Sequence, residues 1–431
     1  MRAVLLLASL AIITATAARA QRQSTSPDSA QKIVEGRHNS AAQTQKPYVI
    51  LISADGFRYD LAERYNASHL NALRAKGVSA KAMRPSYPSV TFPNHYSLVT
   101  GMYPSHHGIV DNTFYDRARH QGYRVGDRQA VEDGTFYGGT PLWVLAEQQQ
   151  MLSASLFWVG SEAAVQGIRP TYYYRFNDKK PLDERLQAVK NWLSLPEDRR
   201  PHLITFYLSQ VDHAEHYHGP ISKETEEAVH IVDDCVGKMV EMLDPLHLPI
   251  NYVFVSDHGM TQVDTLKGID RPAAIDTLKF RISVNETLLH LYANDATDKD
   301  AIKTLYETLK KDTSEYQTWY PDETPDRWHY KTQDDKFGRI GDILLVSKFH
   351  TVFNPQHRTI IPGMHGYDNA FSDMGATFYA WGPAFHMGQT IPVFDNVNVY
   401  PLIAQILGLQ TPKDIDGDIK VLQPILASET K

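Results

Sequence analysis

Three short runs, Tyr48 to Ser53, His202 to Leu208 and Asn251 to Ser256, are almost unbroken in apolar and β-prone residues. Runs of this length and texture fit central parallel strands buried on both faces. Each delivers an aspartate at or shortly beyond its carboxyl end: Asp55, Asp212 and Asp257. Open α/β sheets take their ligands at those ends. An Asp-Gly pair such as Asp55-Gly56, met alone, is equally a turn signal. Helical stretches lie between the runs, at Asp60 to Lys76, Pro141 to Gln150 and Ser222 to Leu243. This alternation predicts an α/β fold with a mostly parallel central sheet and helices on both faces. Residues 265–354 change texture: shorter charged segments surround a strand-like stretch, Val284 to Tyr292, and an amphipathic helix, Asp298 to Lys311. They read as a small α+β insertion or cap. The main domain, 47–415, resumes at His365 to Asp368 and Thr377 to Trp381 and closes with a helical segment at 392–408. Residues 416–431 read as a polar tail.

The 431 residues are 42% apolar and 22% charged, as in globular proteins. A net charge of −7 argues against a nucleic-acid-binding surface, and no sequence-specific nucleic-acid binding is expected. Residues 1–20 combine an early Arg2, an apolar run and an Ala18-Arg19-Ala20 ending, which is the pattern of a secretory signal peptide. Residues 21–46, rich in Gln, Ser, Thr and Ala, read as a disordered leader. No other stretch is a transmembrane candidate, so export without stable membrane insertion is expected after cleavage. Cys235 is the single cysteine, so no intrachain disulfide forms; with export, this fits a bacterial periplasm. Asn66-Ala67-Ser68 and Asn285-Glu286-Thr287 match the glycosylation pattern.

The stretch 83–101 presents one hydroxyl at the start of a helix. Pro85 and Pro88 keep the chain extended, Thr91 stands at an N-cap position, Pro93 lies in the first turn and Gly101 just past the last. A threonine there is either a cap or a hydroxyl held at the positive end of the helix dipole, where an alkoxide and a phosphate are both favoured. Asp212 and His216, spaced i, i+4, share one helix face and can chelate one ion. Asp257 and His258 are adjacent at a strand end, and His365 opens another loop. With Asp55 and Thr91 these groups can meet at one sheet edge. Mixed Asp and His donors without thiolates suit zinc or a similar divalent ion.

The segments Ser53-Ala54-Asp55-Gly56-Phe57-Arg58, Thr91-Phe92-Pro93-Asn94-His95-Tyr96, His107-Gly108-Ile109-Val110-Asp111-Asn112, Asp212-His213-Ala214-Glu215-His216, Ser256-Asp257-His258-Gly259-Met260 and Pro362-Gly363-Met364-His365-Gly366 occur in this order. In them the chain resembles the nucleotide pyrophosphatase/phosphodiesterase family of the alkaline phosphatase superfamily. The resemblance implies two zinc ions about 4 Å apart acting on in-line phosphoryl transfer. One would be held by Asp55, Asp257, His258 and the Thr91 hydroxyl, the other by Asp212, His216 and His365. It implies Thr91 as nucleophile, a phospho-threonine intermediate, and Asn112 as hydrogen-bond donor to a non-bridging phosphate oxygen. Phe92, next to Thr91, can pack against a leaving group or base; Trp158 and Phe176 match segments that line the family's nucleotide pocket, with Phe176 where members often carry tyrosine. The activity implied is hydrolysis of nucleotide diesters and pyrophosphates to nucleoside 5′-monophosphates. A lysophospholipid or choline-phosphate-ester phosphodiesterase on the same metal site, and a catalytically silent binding protein of this fold, are the alternatives.

Overall fold

The computed structural model describes residues 30–312 and 314–427. The expected signal peptide and the first part of the leader lie outside the described residues. The core is a nine-stranded sheet in the order Lys32–Ile33, Tyr172–Tyr174, Ser153–Leu156, Leu203–Leu208, Tyr48–Ala54, Ile250–Val255, Phe378–Trp381, Val78–Ala80, Gln389–Ile391. It is parallel from Tyr172–Tyr174 through Ile250–Val255 and turns antiparallel at Phe378–Trp381 and at the Lys32–Ile33 edge. Side chains alternate across it. Val49 and Leu51 enter a core with the helices Thr91–Thr100 and Val399–Leu407, while Ile50, Ile52 and Ala54 enter a second core under Leu182–Leu193 and Lys223–Leu243. Both faces are therefore covered by helices, which is why the central strands carry no polar alternation.

The three aspartate-bearing strands lie side by side, Leu203–Leu208 and Ile250–Val255 flanking Tyr48–Ala54. Their register pairs Ala54 with Leu208 and Ser53 with Val255. Parallel pairing in that register brings Asp55, Asp257 and the helix Gln210–His218 to one edge of the sheet.

Residues 280–347 build a separate four-stranded antiparallel sheet, Phe280–Val284, Leu288–Ala293, Ile343–Ser347, Tyr316–Trp319. The single strand expected over Val284 to Tyr292 is instead a hairpin turning at 285–287. The Asn285 amide reaches out to the Thr113 carbonyl (3.0 Å), a bond between distant segments that no local pattern announces. Alternation again assigns faces: Leu288, Leu344 and Val346 pack into the main core, while Leu289, Leu291 and Leu345 pack under the helix Lys299–Leu309.

Further expectations are corrected. The leader is ordered from residue 30: Lys32–Ile33 pairs with Tyr172 and Tyr173, and buried Asn39 bonds the backbone of Glu197, Arg200 and Leu152. Polar composition hid these bonds because they go to backbone elsewhere in the chain. The expected tail is docked through residue 427: the Asp416 carboxylate accepts from the Tyr103 amide (2.8 Å) and His106 Nδ1 (2.8 Å), and Leu422 and Ile425 are buried. The helix expected over 60–76 is two, Leu61–Arg64 and Ser68–Ala75, broken where Asn66 takes a positive φ of 51°.

Candidate active site and metal centre

The helix Thr91–Thr100 begins one residue earlier than expected: Val90 is its N-cap, and no side chain caps it. Gly101 ends it in the left-handed conformation (φ 66°), as its position predicted. Thr91 is thereby freed from capping. Its hydroxyl lies 3.3 Å from His258 Nε2. The Phe92 amide, one of the first-turn donors, is taken by Asn112 Oδ1 at 3.0 Å. Because that amide can only donate, the facing atom of Asn112 is its oxygen, and the Asn112 NH₂ remains for another acceptor.

Around Thr91 the structure brings together every acid and histidine expected there. Donor atoms of Asp55, Asp257 and His258 lie within 4.8 Å of one another, as do those of Asp212, His258 and His365. His216 Nε2 stands 3.3 Å from Asp212 Oδ1 and 3.2 Å from His365 Nε2. Asp55 Oδ1, Asp212 Oδ1 and Asp257 Oδ2 are buried without a hydrogen bond. The other Asp55 oxygen accepts from the Tyr207 hydroxyl at 2.6 Å.

The histidines show what these oxygens face. Nδ1 of His216, His258 and His365 meets the carbonyls of Gly363 (2.9 Å), Gly259 (3.0 Å) and Ser89 (3.0 Å). A carbonyl accepts only, so each Nδ1 carries a proton and donates. In the neutral ring each Nε2 then turns a lone pair inward. Burial, and after it the neighbouring His258 and His216, pushes His365 down to about 3, so that ring is neutral. Burial acts against protonation of His216 too, but the Asp212 carboxylate outweighs it and raises the ring to about 9. Burial, then repulsion from Asp257 and Asp212, drives Asp55 well above the usual carboxylate range. Bonded outward and crowded inward, these donors fit divalent cations, which take the place of the proton that Asp212 draws onto His216 and satisfy clustered carboxylates and lone pairs together.

The aromatic expectations divide. Phe92 follows Thr91, half-buried, with its ring 6.4 Å from that of Tyr123. Phe176 is 53% exposed, edge-on to Phe157 and to Tyr207. Trp158, expected in the pocket, is 1% exposed, and its indole donates to the His95 carbonyl at 3.0 Å. It braces the Thr91 helix and offers no face for stacking.

Several residues at the site escaped the sequence reading. His95, one turn beyond Thr91, bonds the Thr91 carbonyl (3.0 Å) and Ser53 Oγ (2.8 Å) and lies 3.3 Å from Asp257 Oδ2. Its i, i+4 spacing from Thr91 was the available signal. Glu215 is fully buried, with neither carboxyl oxygen hydrogen-bonded; burial first, and Asp212 second, push it well up. Tyr207 looked like one more apolar strand residue.

Residues 49–368 match the type I phosphodiesterase / nucleotide pyrophosphatase family. The chain belongs to that family. Ectonucleotide pyrophosphatase/phosphodiesterase family member 1 of Mus musculus is 34% identical over 385 residues, an alignment covering 85% of this chain and 41% of the mouse protein. The venom phosphodiesterase of Macrovipera lebetinus is 31% identical, covering 86% of this chain and 45% of its own. The chain thus spans less than half the length of these relatives. Among solved structures, murine ectonucleotide pyrophosphatase/phosphodiesterase 5, as an inactive threonine-to-alanine variant in complex with AMP, superposes with a TM-score of 0.81 at 25% identity, covering 89% of this chain and 100% of that one. The human protein 5 structure superposes with the same TM-score at 27% identity. The fold is accordingly alkaline phosphatase-like, with a mixed central sheet between helices.

Proposed function

We propose that this chain is an exported, two-zinc phosphodiesterase and pyrophosphatase that releases nucleoside 5′-monophosphates. One observation carries the reading: the uncapped Thr91 hydroxyl stands at a helix N-terminus beside inward-facing Nε2 atoms and carboxylate oxygens with no hydrogen bond. Asp55, Asp257 and His258 would hold one ion with the Thr91 hydroxyl, and Asp212, His216 and His365 the other. When bound, such ions lower the pKa of an attached hydroxyl or water and neutralise phosphoryl charge.

The chain's own residues do the rest. Thr91 Oγ attacks phosphorus, its proton leaves to solvent, and the bond to the leaving oxygen breaks as phospho-threonine forms. Water then attacks the phosphorus, and the Thr91–phosphate bond breaks to give the monophosphate. The Asn112 NH₂ donates to a non-bridging oxygen, and the first turn of the helix adds its dipole. Phe92 follows the nucleophile where a cation would serve a dianionic monoester, so the site favours a singly charged diester. Phe92 and Phe176 are the available aromatic walls for the leaving group or base. AMP in the murine relative supports the product class.

Export rests on residues 1–20 and on the name of the venom relatives. Among the described residues no helix is long and apolar enough to cross a membrane. The catalytic body is 47–415, with 265–354 as its accessory part.

The test is turnover of p-nitrophenyl thymidine 5′-monophosphate, p-nitrophenyl phosphocholine and p-nitrophenyl phosphate, with and without chelator, alongside metal analysis. Chelator-sensitive preference for the nucleotide diester is expected. Preference for the choline ester, or bound zinc without turnover, overturns the reading.

A further inference from the structure

Asn112, the amide assigned above to the phosphate, sits on a segment suspended from the accessory sheet. The Val110 carbonyl accepts from the Tyr330 hydroxyl at 2.6 Å. Asp111 Oδ2 accepts from His290 Nε2 at 3.2 Å. The Thr113 carbonyl accepts from the Asn285 amide at 3.0 Å, and the Tyr115 N–H donates to the Tyr292 hydroxyl at 3.2 Å. These four partners all come from residues 285–330; the segment's remaining backbone bonds are to its own hairpin, the Val125 N–H donating to the Asn112 carbonyl at 3.1 Å and residues 113–116 pairing with 121–124. The Asn112 side chain itself turns to the nucleophile helix.

The direction of each bond in the chain through His290 is fixed. The Gly341 N–H donates to His290 Nδ1 at 3.3 Å, so that nitrogen is bare and the proton is on Nε2. Nε2–H donates to Asp111 Oδ2. Asp111 Oδ1 accepts from the Asn112 backbone N–H at 2.7 Å. Asn112 Oδ1 accepts from Phe92 N–H. Asp111 and His290 are both fully buried. Burial pushes the Asp111 carboxyl up, and the His290 bond opposes it. A buried acid–histidine pair is not needed to fill this space, since apolar side chains would do so without desolvating a charge.

We propose that His290 is a positioning residue: through Asp111 it fixes the backbone of Asn112, and so aims the Asn112 NH₂ at the phosphoryl oxygen beside Thr91. The inference rests on the functional reading above and gives the accessory sheet a part in the reaction. The Asn112 contact strengthens as charge develops on the phosphoryl oxygens, so loosening it affects kcat more than KM.

The experiment is a double-mutant cycle on p-nitrophenyl thymidine 5′-monophosphate. His290→Leu removes the donor, His290→Gln keeps one of similar reach, and Asn112→Ala removes the amide. His290→Leu should lower kcat about 10- to 100-fold, as small misplacements of a reacting group do, with KM and zinc content near wild type. His290→Gln should restore most of the rate. His290→Leu on the Asn112→Ala background should cost little more, because both act through one contact. If His290→Leu does not fold, the near-isosteric Asp111→Asn, which gives up one acceptor, takes its place in the cycle. Additive losses, or an unchanged kcat in a folded variant, overturn the inference while wild-type turnover leaves the functional reading standing. A wild-type chain inactive on the diester overturns both.

Discussion

Two buried constellations of aspartate and histidine reach the first turn of the Thr91 helix, one at Thr91 itself and one through Asn112, and they are built oppositely. At the sheet edge, Asp55, Asp212 and Asp257 each leave an oxygen without a hydrogen bond, and the His216, His258 and His365 rings bond outward. Under the accessory sheet, both Asp111 oxygens accept hydrogen bonds and both His290 nitrogens are engaged. Burial and residue types are alike; satisfaction differs. The first arrangement is incomplete as protein alone and calls for cations. The second is complete and holds a backbone in place.

Substitutions separate the two. The largest effect is expected at the boundary. Thr91→Ala should lower kcat at least about 10³-fold, since it removes the hydroxyl proposed as nucleophile, while metal analysis finds zinc on the remaining donors. Loss of metal together with activity would mean that Thr91 serves the cluster and not the phosphate. Next comes the satisfied pair. Asp111→Ala strands two buried donors, His290 Nε2–H and the Asn112 backbone N–H, and should cost about 2–5 kcal/mol in urea unfolding, equally with and without chelator. The unsatisfied cluster should respond with the opposite sign. After chelation, Asp55→Asn should stabilise the chain by on the order of 1 kcal/mol by removing one of three crowded carboxylates. The wild type should instead gain about 2.7 kcal/mol from zinc at a hundred times its Kd, and the variant much less. A stripped Asp55→Asn chain less stable than the stripped wild type would contradict the idea of an incomplete site.

An effect smaller than that at Asp111 is expected at the partly exposed pair His106–Asp416. Burial works against ionisation of Asp416, but His106 and the Tyr103 amide outweigh it and hold the carboxyl below its ordinary 3.8. The folded value is the lower one, so the stabilisation is present above the unfolded value and fades as pH falls through the folded one. Asp416→Ala should cost about 1–2 kcal/mol at pH 7 and less at pH 3, read from thermal midpoints.

The unsatisfied cluster was legible in sequence and the satisfied one was not. Asp55, Asp257 and the Asp212–His216 pair sit at the ends of apolar runs, where strand direction alone puts them on one edge. His290 lies inside a strand, 179 residues from Asp111, and only the docking of two sheets joins them. Tyr207 and Trp158 mark the same limit. An aromatic in an apolar run gives no sign whether its polar atom will meet a buried carboxylate, as at Asp55, or a helix carbonyl, as at His95. The leader and the final segment were misread because Asn39 and Asp416 act on distant backbone, whereas composition describes only neighbours.

The Asn285 amide has one more consequence, for how the protein is made. Asn285-Glu286-Thr287 is an acceptor pattern for N-linked glycan, yet in the folded chain the asparagine is 5% exposed with its nitrogen committed to the Thr113 carbonyl. A sugar can be attached only to the nascent, undocked hairpin, and once there it keeps the hairpin from seating on the segment that carries Asn112. In a glycosylating host, synthesis becomes a contest between the transferase and the docking of the accessory sheet.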